Sequence, residues 1–157
     1  MRTTSTTVAA ILFVLVGTLP AADKSPSQIL GGKPAAASSE SSRYYDGHGS
    51  FNGRSSTSGS TTRLYEGHGS YAGRVDTAKD STRLYDRSGS YSGRSTTSGS
   101  TTSFYDSKGS FSGRSTTSGG EARFYDGQGS YSGRATTSGN TTRFYDGQGK
   151  YVGSKTK

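Results

Sequence analysis

From Arg43 onward the chain alternates aromatic, polar and glycine positions with a strict period of twenty residues. The units start at Arg43, Arg63, Arg83, Ser103, Arg123 and Arg143, and the last is cut short at Lys157. In every unit the third position is Tyr, the fourth acidic, the seventh Gly, the ninth aromatic and the eleventh Gly; Arg follows that second Gly in the first five units. Self-similarity at a fixed spacing marks a repeat architecture. Between the glycine-rich points lie stretches of about six or seven residues rich in Thr, Tyr, Phe and Ser, which is strand length and strand chemistry. A 3.6-residue periodicity is missing and Gly interrupts every candidate helix, so the elements predicted are strands.

Two turn signals separate those strands. "DGHG", "EGHG", "DRSG", "DSKG" and "DGQG" all fit acidic-x-x-Gly, a type I turn capped by its carboxylate and closed by a Gly free to take positive φ. The same pattern closes a three-residue hairpin loop. The second signal, "TSGS" or its variants, puts Gly59, Gly99, Gly119 and Gly139 at a tight reversal. Unit two reads "TAKD" there, with Lys79 in place of Gly, and predicts a weaker turn or one of another type.

Each unit is then one hairpin plus the pairing that joins it to the next. The expected fold is all-β: an antiparallel meander or ribbon of about twelve strands, coiled as a single sheet or left as an open, solenoid-like sheet. An open ribbon of that many strands would run about 55 Å at about 4.8 Å per strand. With Gly47, His48 and Gly49 as the loop, Asp46 faces Ser50, Tyr45 faces Phe51 and Arg43 faces Gly53. Every hairpin thus sets an aromatic across from an aromatic. The other face carries Tyr44, Leu64, Leu84, Phe104, Phe124 and Phe144 with the acidic residue and the Arg at position twelve, so both faces look half aromatic and half polar. Tyr45 and Tyr65 share a face if the second loop has three residues, and alternate units flip if it has two; the three-residue loop is the expectation, because a shared face makes a continuous aromatic stripe.

Composition narrows this further. Hydrophobic residues are 27% of the chain, and beyond Arg43 the only large aliphatics are Leu64, Val75, Leu84 and Val152, so packing must be aromatic. Residues 1–22 have the grammar of a signal peptide: Arg2, the apolar run Val8–Leu19, then the small residues of "PAA". Residues 23–42, rich in Ser, Ala, Pro and Gly, read as a disordered linker, and residues 43–157 as the repeat region. The expected localisation is export, to the periplasm or the cell surface, with no membrane span once the signal is removed. There is no Cys to staple the product. Removing the signal takes only Arg2 from the charged residues, leaving 18 cations against 11 acids, a net +7.

"YDGQGSYSGRATTSGNTTRFYDGQG" resembles the YD repeats of Rhs-type proteins: Tyr-Asp-x-x-Gly, an aromatic, then a Gly before the next Tyr-Asp. The likeness covers residues 43–153. It departs in its strict twenty-residue period and in lacking the Leu and Val that accompany the pattern. The resemblance implies a hairpin-built β-sheet in an extracellular protein, in some cases one that binds sugars.

No constellation points to catalysis or a metal. His48 and His68 are turn residues whose place later units fill with Ser, Lys or Gln, and the carboxylates come one per unit, in turn-capping positions. The expectation is a non-enzymatic protein without cofactors, in a binding or structural role. The candidate stacking residues are Tyr45, Phe51, Tyr65, Tyr71, Tyr85, Tyr91, Tyr105, Phe111, Tyr125, Tyr131, Tyr145 and Tyr151. The candidate anion contacts are Arg54, Arg74, Arg94, Arg114 and Arg134. Partners consistent with these residues are an envelope polysaccharide or another polyanion. Self-association into a fibre through the two sheet edges is the alternative. Nucleic acid is a weaker fit, because every unit carries an acid and export removes such partners.

Overall fold

The computed structural model describes residues 40–157; the expected signal peptide and all but the last three residues of the expected linker lie outside the described residues. Twelve antiparallel strands follow in chain order: β1 (Glu40–Asp46), β2 (Phe51–Ser58), β3 (Thr61–Glu66), β4 (Tyr71–Ala78), β5 (Ser81–Asp86), β6 (Tyr91–Ser98), β7 (Thr101–Asp106), β8 (Phe111–Ser118), β9 (Glu121–Asp126), β10 (Tyr131–Ser138), β11 (Thr141–Asp146) and β12 (Tyr151–Thr156). Glu40, Ser41 and Ser42 belong to β1, so the repeat's first strand begins inside the stretch that composition assigns to the linker.

The sheet is a closed barrel, not an open or solenoid-like ribbon: β12 pairs with β1. The closing register, with Gly153 opposite Asp46, Ser154 opposite Tyr45 and Lys155 opposite Tyr44, repeats the register of β2 on β3, where Gly53 meets Glu66, Arg54 meets Tyr65 and Ser55 meets Leu64. Unit six therefore docks on unit one as unit one docks on unit two. Passing from Arg43 to Arg54 to Tyr65 through cross-strand partners advances the register two residues per unit. Over six units this stagger gives a strand tilt of about 35° and a backbone diameter of about 22 Å.

The first turn forms as its signal predicts. Gly49 N–H donates to the Asp46 carbonyl at 3.0 Å, Asp46 N–H donates to the Ser50 carbonyl at 2.9 Å, and Tyr45 pairs with Phe51. The next step corrects the simple count. Asn52 and Gly53 together oppose Tyr44, so Arg43 faces Arg54, not Gly53. This β-bulge recurs in all six hairpins, from Leu64/Gly73 to Phe144/Gly153. The second loop has two residues, not the expected three, since Ser58 pairs with Thr61. Two such residues alone would flip alternate units; the extra bulge residue restores the parity, and Tyr45 and Tyr65 share a face for that reason.

The bulge requires glycine at position eleven. Gly53 has φ +156°, and its five counterparts lie at 149–150°. A Cβ at Gly53 would overlap the Tyr65 carbonyl oxygen, and one at Gly153 would overlap that of Tyr45 across the closing seam. The tight reversal places its first residue at positive φ and its second not, the type II′ pattern. Lys79 adopts it too, at φ +47°, so unit two keeps the common turn and carries the strain of a side chain there.

With parity fixed, position two points inward and positions three and nine outward. Tyr44, Leu64, Leu84, Phe104, Phe124 and Phe144 are buried in the barrel, beside the small residues Ser55, Ser95, Ser115 and Ala135 and the glycines of the bulges. The small–large alternation fits bulky rings into a tapering interior. Leu64, Val75, Leu84 and Phe104 form one apolar cluster and Ala122, Phe124, Ala135 and Phe144 a second. Polar joints part them: Ser115 on one side, and Tyr44, Ser55 and Lys155 at the seam. The Tyr44 hydroxyl bonds to Ser55 Oγ at 3.1 Å, and burial pushes its pKa up to about 12, against the lowering effect of that bond. Lys155 also faces inward, and burial lowers its pKa.

Two substitutions test the backbone. Gly113→Ala places a methyl against the Tyr125 carbonyl oxygen; it should lower the urea-unfolding free energy by about 3 kcal/mol. Lys79→Gly relieves the one non-glycine positive φ among the described residues. It should raise stability by about 0.5–1 kcal/mol and the melting temperature by about 2 °C.

Candidate functional site

Two concentric features run around the outside of the barrel near the acidic-x-x-Gly loops. The first is aromatic. All twelve candidate stacking residues come together as six pairs: Tyr45–Phe51, Tyr65–Tyr71, Tyr85–Tyr91, Tyr105–Phe111, Tyr125–Tyr131 and Tyr145–Tyr151. Ring centroids lie 6.0–6.1 Å apart at interplanar angles of 67–74°, the edge-to-face arrangement in which one ring's positive edge meets the other's negative face. In the first five pairs the second ring is the more open, with Phe51 and Phe111 46% exposed and Tyr131 44%.

All five candidate arginines join this belt, and they do so between units. Arg54 lies over the Tyr65 ring at 4.3 Å, Arg74 over Tyr85 at 4.3 Å, Arg94 over Tyr105 at 4.4 Å, Arg114 over Tyr125 at 5.3 Å and Arg134 over Tyr145 at 4.9 Å. Each Tyr at position three in units two to six therefore has a guanidinium over its ring and an edge-to-face partner ring. At the seam Ser154 stands opposite Tyr45, where the other junctions have Arg. Sequence counting sets Arg43 opposite Gly53; the bulge sets it opposite Arg54, whose guanidinium lies on the Tyr65 ring of the following unit.

The second feature is a ring of arginine pairs that the motif analysis left out. Arg43 faces Arg54, Arg63 faces Arg74, Arg83 faces Arg94 and Arg123 faces Arg134, each directly across a hairpin. Ser103 and Ser154 break the pairing in units four and six. Like charges in that relation are destabilising. Two pairs have an acid of the chain: Asp76 lies 3.2 Å from Arg74 Nε, and Glu121 lies 2.7 Å from Arg123 Nε and 3.4 Å from Arg134 Nη1. Glu121's pKa is lowered, first by the Arg123 hydrogen bond. Among the described residues, Arg43, Arg54, Arg83 and Arg94 make no ion pair. The signal available in the sequence was the Arg at position one of five units; without the bulge it has no visible partner.

The loops above the belt are held by their acids. Asp46 Oδ1 accepts from the backbone N–H groups of His48 at 2.9 Å and Ser50 at 2.8 Å, and Asp106, Asp126 and Asp146 repeat the cap. Asp86 accepts the same two backbone bonds and a third from the Ser88 hydroxyl at 2.6 Å. Glu66, one methylene longer, pairs instead with Arg87 of the next loop. Two of the three departures from the loop consensus, Glu66 and Arg87, are thus each other's partners, Ser107 being the third. His48 and His68 lie at exposed loop tips, and no group of His, Asp or Glu among the described residues could hold a metal ion. Compared with protein-family models and with curated proteins, the chain matches none.

The caps set an acid limit. The pKa of Asp46 is lowered chiefly by the Ser50 N–H and then the His48 N–H, and that of Asp86 by the Ser88 hydroxyl and then the Ser90 N–H. A depressed carboxyl stabilises the fold above its unfolded pKa of about 4 and loses that contribution as pH falls through the lower folded value. Melting temperature should be level from pH 7 to 5 and fall steadily below about 4; Asp86→Asn should shrink that fall.

Proposed function

We propose that this protein is an exported, non-enzymatic binding module of the cell envelope or surface whose outer belt holds a glycan or another envelope polymer. The observation that carries this is the recurrence of one cluster, an exposed edge-to-face ring pair with a guanidinium on the neighbouring Tyr, at regular intervals around the barrel. Flat apolar ring faces suit the C–H faces of pyranose rings, and guanidinium and phenol groups suit their hydroxyl and acid groups. Six weak contacts on one rigid scaffold multiply along a polymer.

The rest of the surface fits the same role. Outward positions on the strands carry Arg, Ser and Thr beside the ring pairs, unlike the apolar band of a barrel in lipid, and the strands run 6–8 residues. No helix among the described residues is long and apolar enough to cross a membrane. Export is supported by the Val8–Leu19 run, and kinship with YD-repeat proteins by the Tyr-Asp-x-x-Gly hairpins. Self-assembly by strand addition loses its main support, because the closed sheet has no free edge to offer.

Binding should strengthen with ligand length. Titrating the full chain with linear oligosaccharides of increasing length should give affinities that climb until the oligomer spans several units. Tyr71→Ala, Tyr91→Ala and Tyr131→Ala should each weaken binding of a long oligomer by about 1 kcal/mol, roughly fivefold. Length-independent affinity, or affinity untouched by all three changes, would refute the proposal.

A further inference from the structure

The Arg123–Arg134 pair already displays how a hairpin of this barrel handles an anion. One carboxylate, that of Glu121, lies against both guanidinium groups, with Oε1 on Arg123 and Oε2 on Arg134. The register that makes this possible is common to the repeat: position one faces position twelve, and position nineteen of the preceding unit lies two residues before position one on the same strand. At Arg83–Arg94 and Arg43–Arg54 the position taken by Glu121 is held by Ser81 and Ser41. Their arginines are exposed and, among the described residues, without an ion pair.

We propose that the Arg43–Arg54 and Arg83–Arg94 pairs are carboxylate-binding sites and that the ligand of the belt is an acidic polysaccharide bearing uronate groups. This rests on the glycan-binding role above and narrows it. A carboxylate presents two oxygens in one plane to two forks of N–H donors, the arrangement Glu121 adopts within the chain. Arg54 and Arg94 bring a second advantage. Each also lies on a Tyr of the next unit, which holds its guanidinium in place, so a sugar stacked on the belt sets its acid group beside a positioned donor. The ligand's charge also relieves the repulsion within each pair.

Two double variants of the full chain test this with polygalacturonate and uncharged dextran as probes. Arg43→Ser with Arg83→Ser removes one arm of each pair, and serine already serves at position one in Ser103. Ser41→Glu with Ser81→Glu supplies each pair with a carboxylate of the chain, as Glu121 does. Both variants should weaken polygalacturonate binding about tenfold, leave dextran binding unchanged, and melt no lower than the parent. Wild-type affinity for polygalacturonate in either variant overturns the proposal. So does dextran bound as tightly as polygalacturonate, which leaves the glycan role standing. Tighter binding of duplex DNA or of phosphatidylglycerol vesicles than of polygalacturonate also overturns it. If neither polymer binds, the glycan role falls with it.

Discussion

The bulge at position eleven is the constraint on which the barrel depends. A β-strand alternates its side chains strictly, so a three-residue loop, a two-residue loop and a twenty-residue period cannot alone return every Tyr to one face. One unpaired residue per hairpin corrects the parity, and only glycine lets the bulged backbone sit against the next strand's carbonyl. From that single adjustment follow the inward ring of Leu, Phe and Tyr44, the outward ring pairs, and the arginines that face each other across each hairpin. The bulge also sharpens local twist, which helps twelve strands meet as a barrel.

The outer belt and the inner core are linked through the same residues, with opposite demands. Inside, burial of a few aromatic and aliphatic side chains drives folding, and polar joints at Ser115 and at the seam divide the interior into two clusters. Outside, cation–π contacts tie each unit to the next and offset part of the repulsion among stacked guanidiniums. Asp76 and Glu121 relieve two arginine pairs, while two others keep their full charge. A surface selected for stability alone would have an acid or a serine at every such position. The units differ most at the loop tip, where His, Ser, Lys and Gln alternate, and least where backbone geometry is fixed.

Much of this was legible in the sequence. The period, the strand count, the capped type I turn and the Tyr45–Phe51 pairing come from local chemistry, in which Asp and Gly fix the turn and the turn fixes the nearest cross-strand pair. Closure was not legible, because it pairs Gly153 with Asp46 across more than a hundred residues, and no local signal reports a contact of that separation. Counting set Arg43 opposite Gly53 because a bulge has the same composition as a plain strand containing glycine. Inside and outside were unreadable because both faces carry large apolar side chains in every unit, a ring pair on one and a Tyr, Leu or Phe on the other; burial of Phe104 and exposure of Phe111 are settled only when the ring closes. The cross-strand ring partners were legible, and the arginines at position one were missed for want of a visible partner.

The closing seam has one further consequence. Glu40 and Lys157 meet there through an ion pair at 3.0 Å, and the register across the seam is that of every other junction. The barrel accordingly has no structurally privileged starting unit. Joining Lys157 to Glu40 by a two-residue turn and opening the chain at any other tight reversal would yield circular permutants with the same strand pairing, and the order of translation would cease to define first and last.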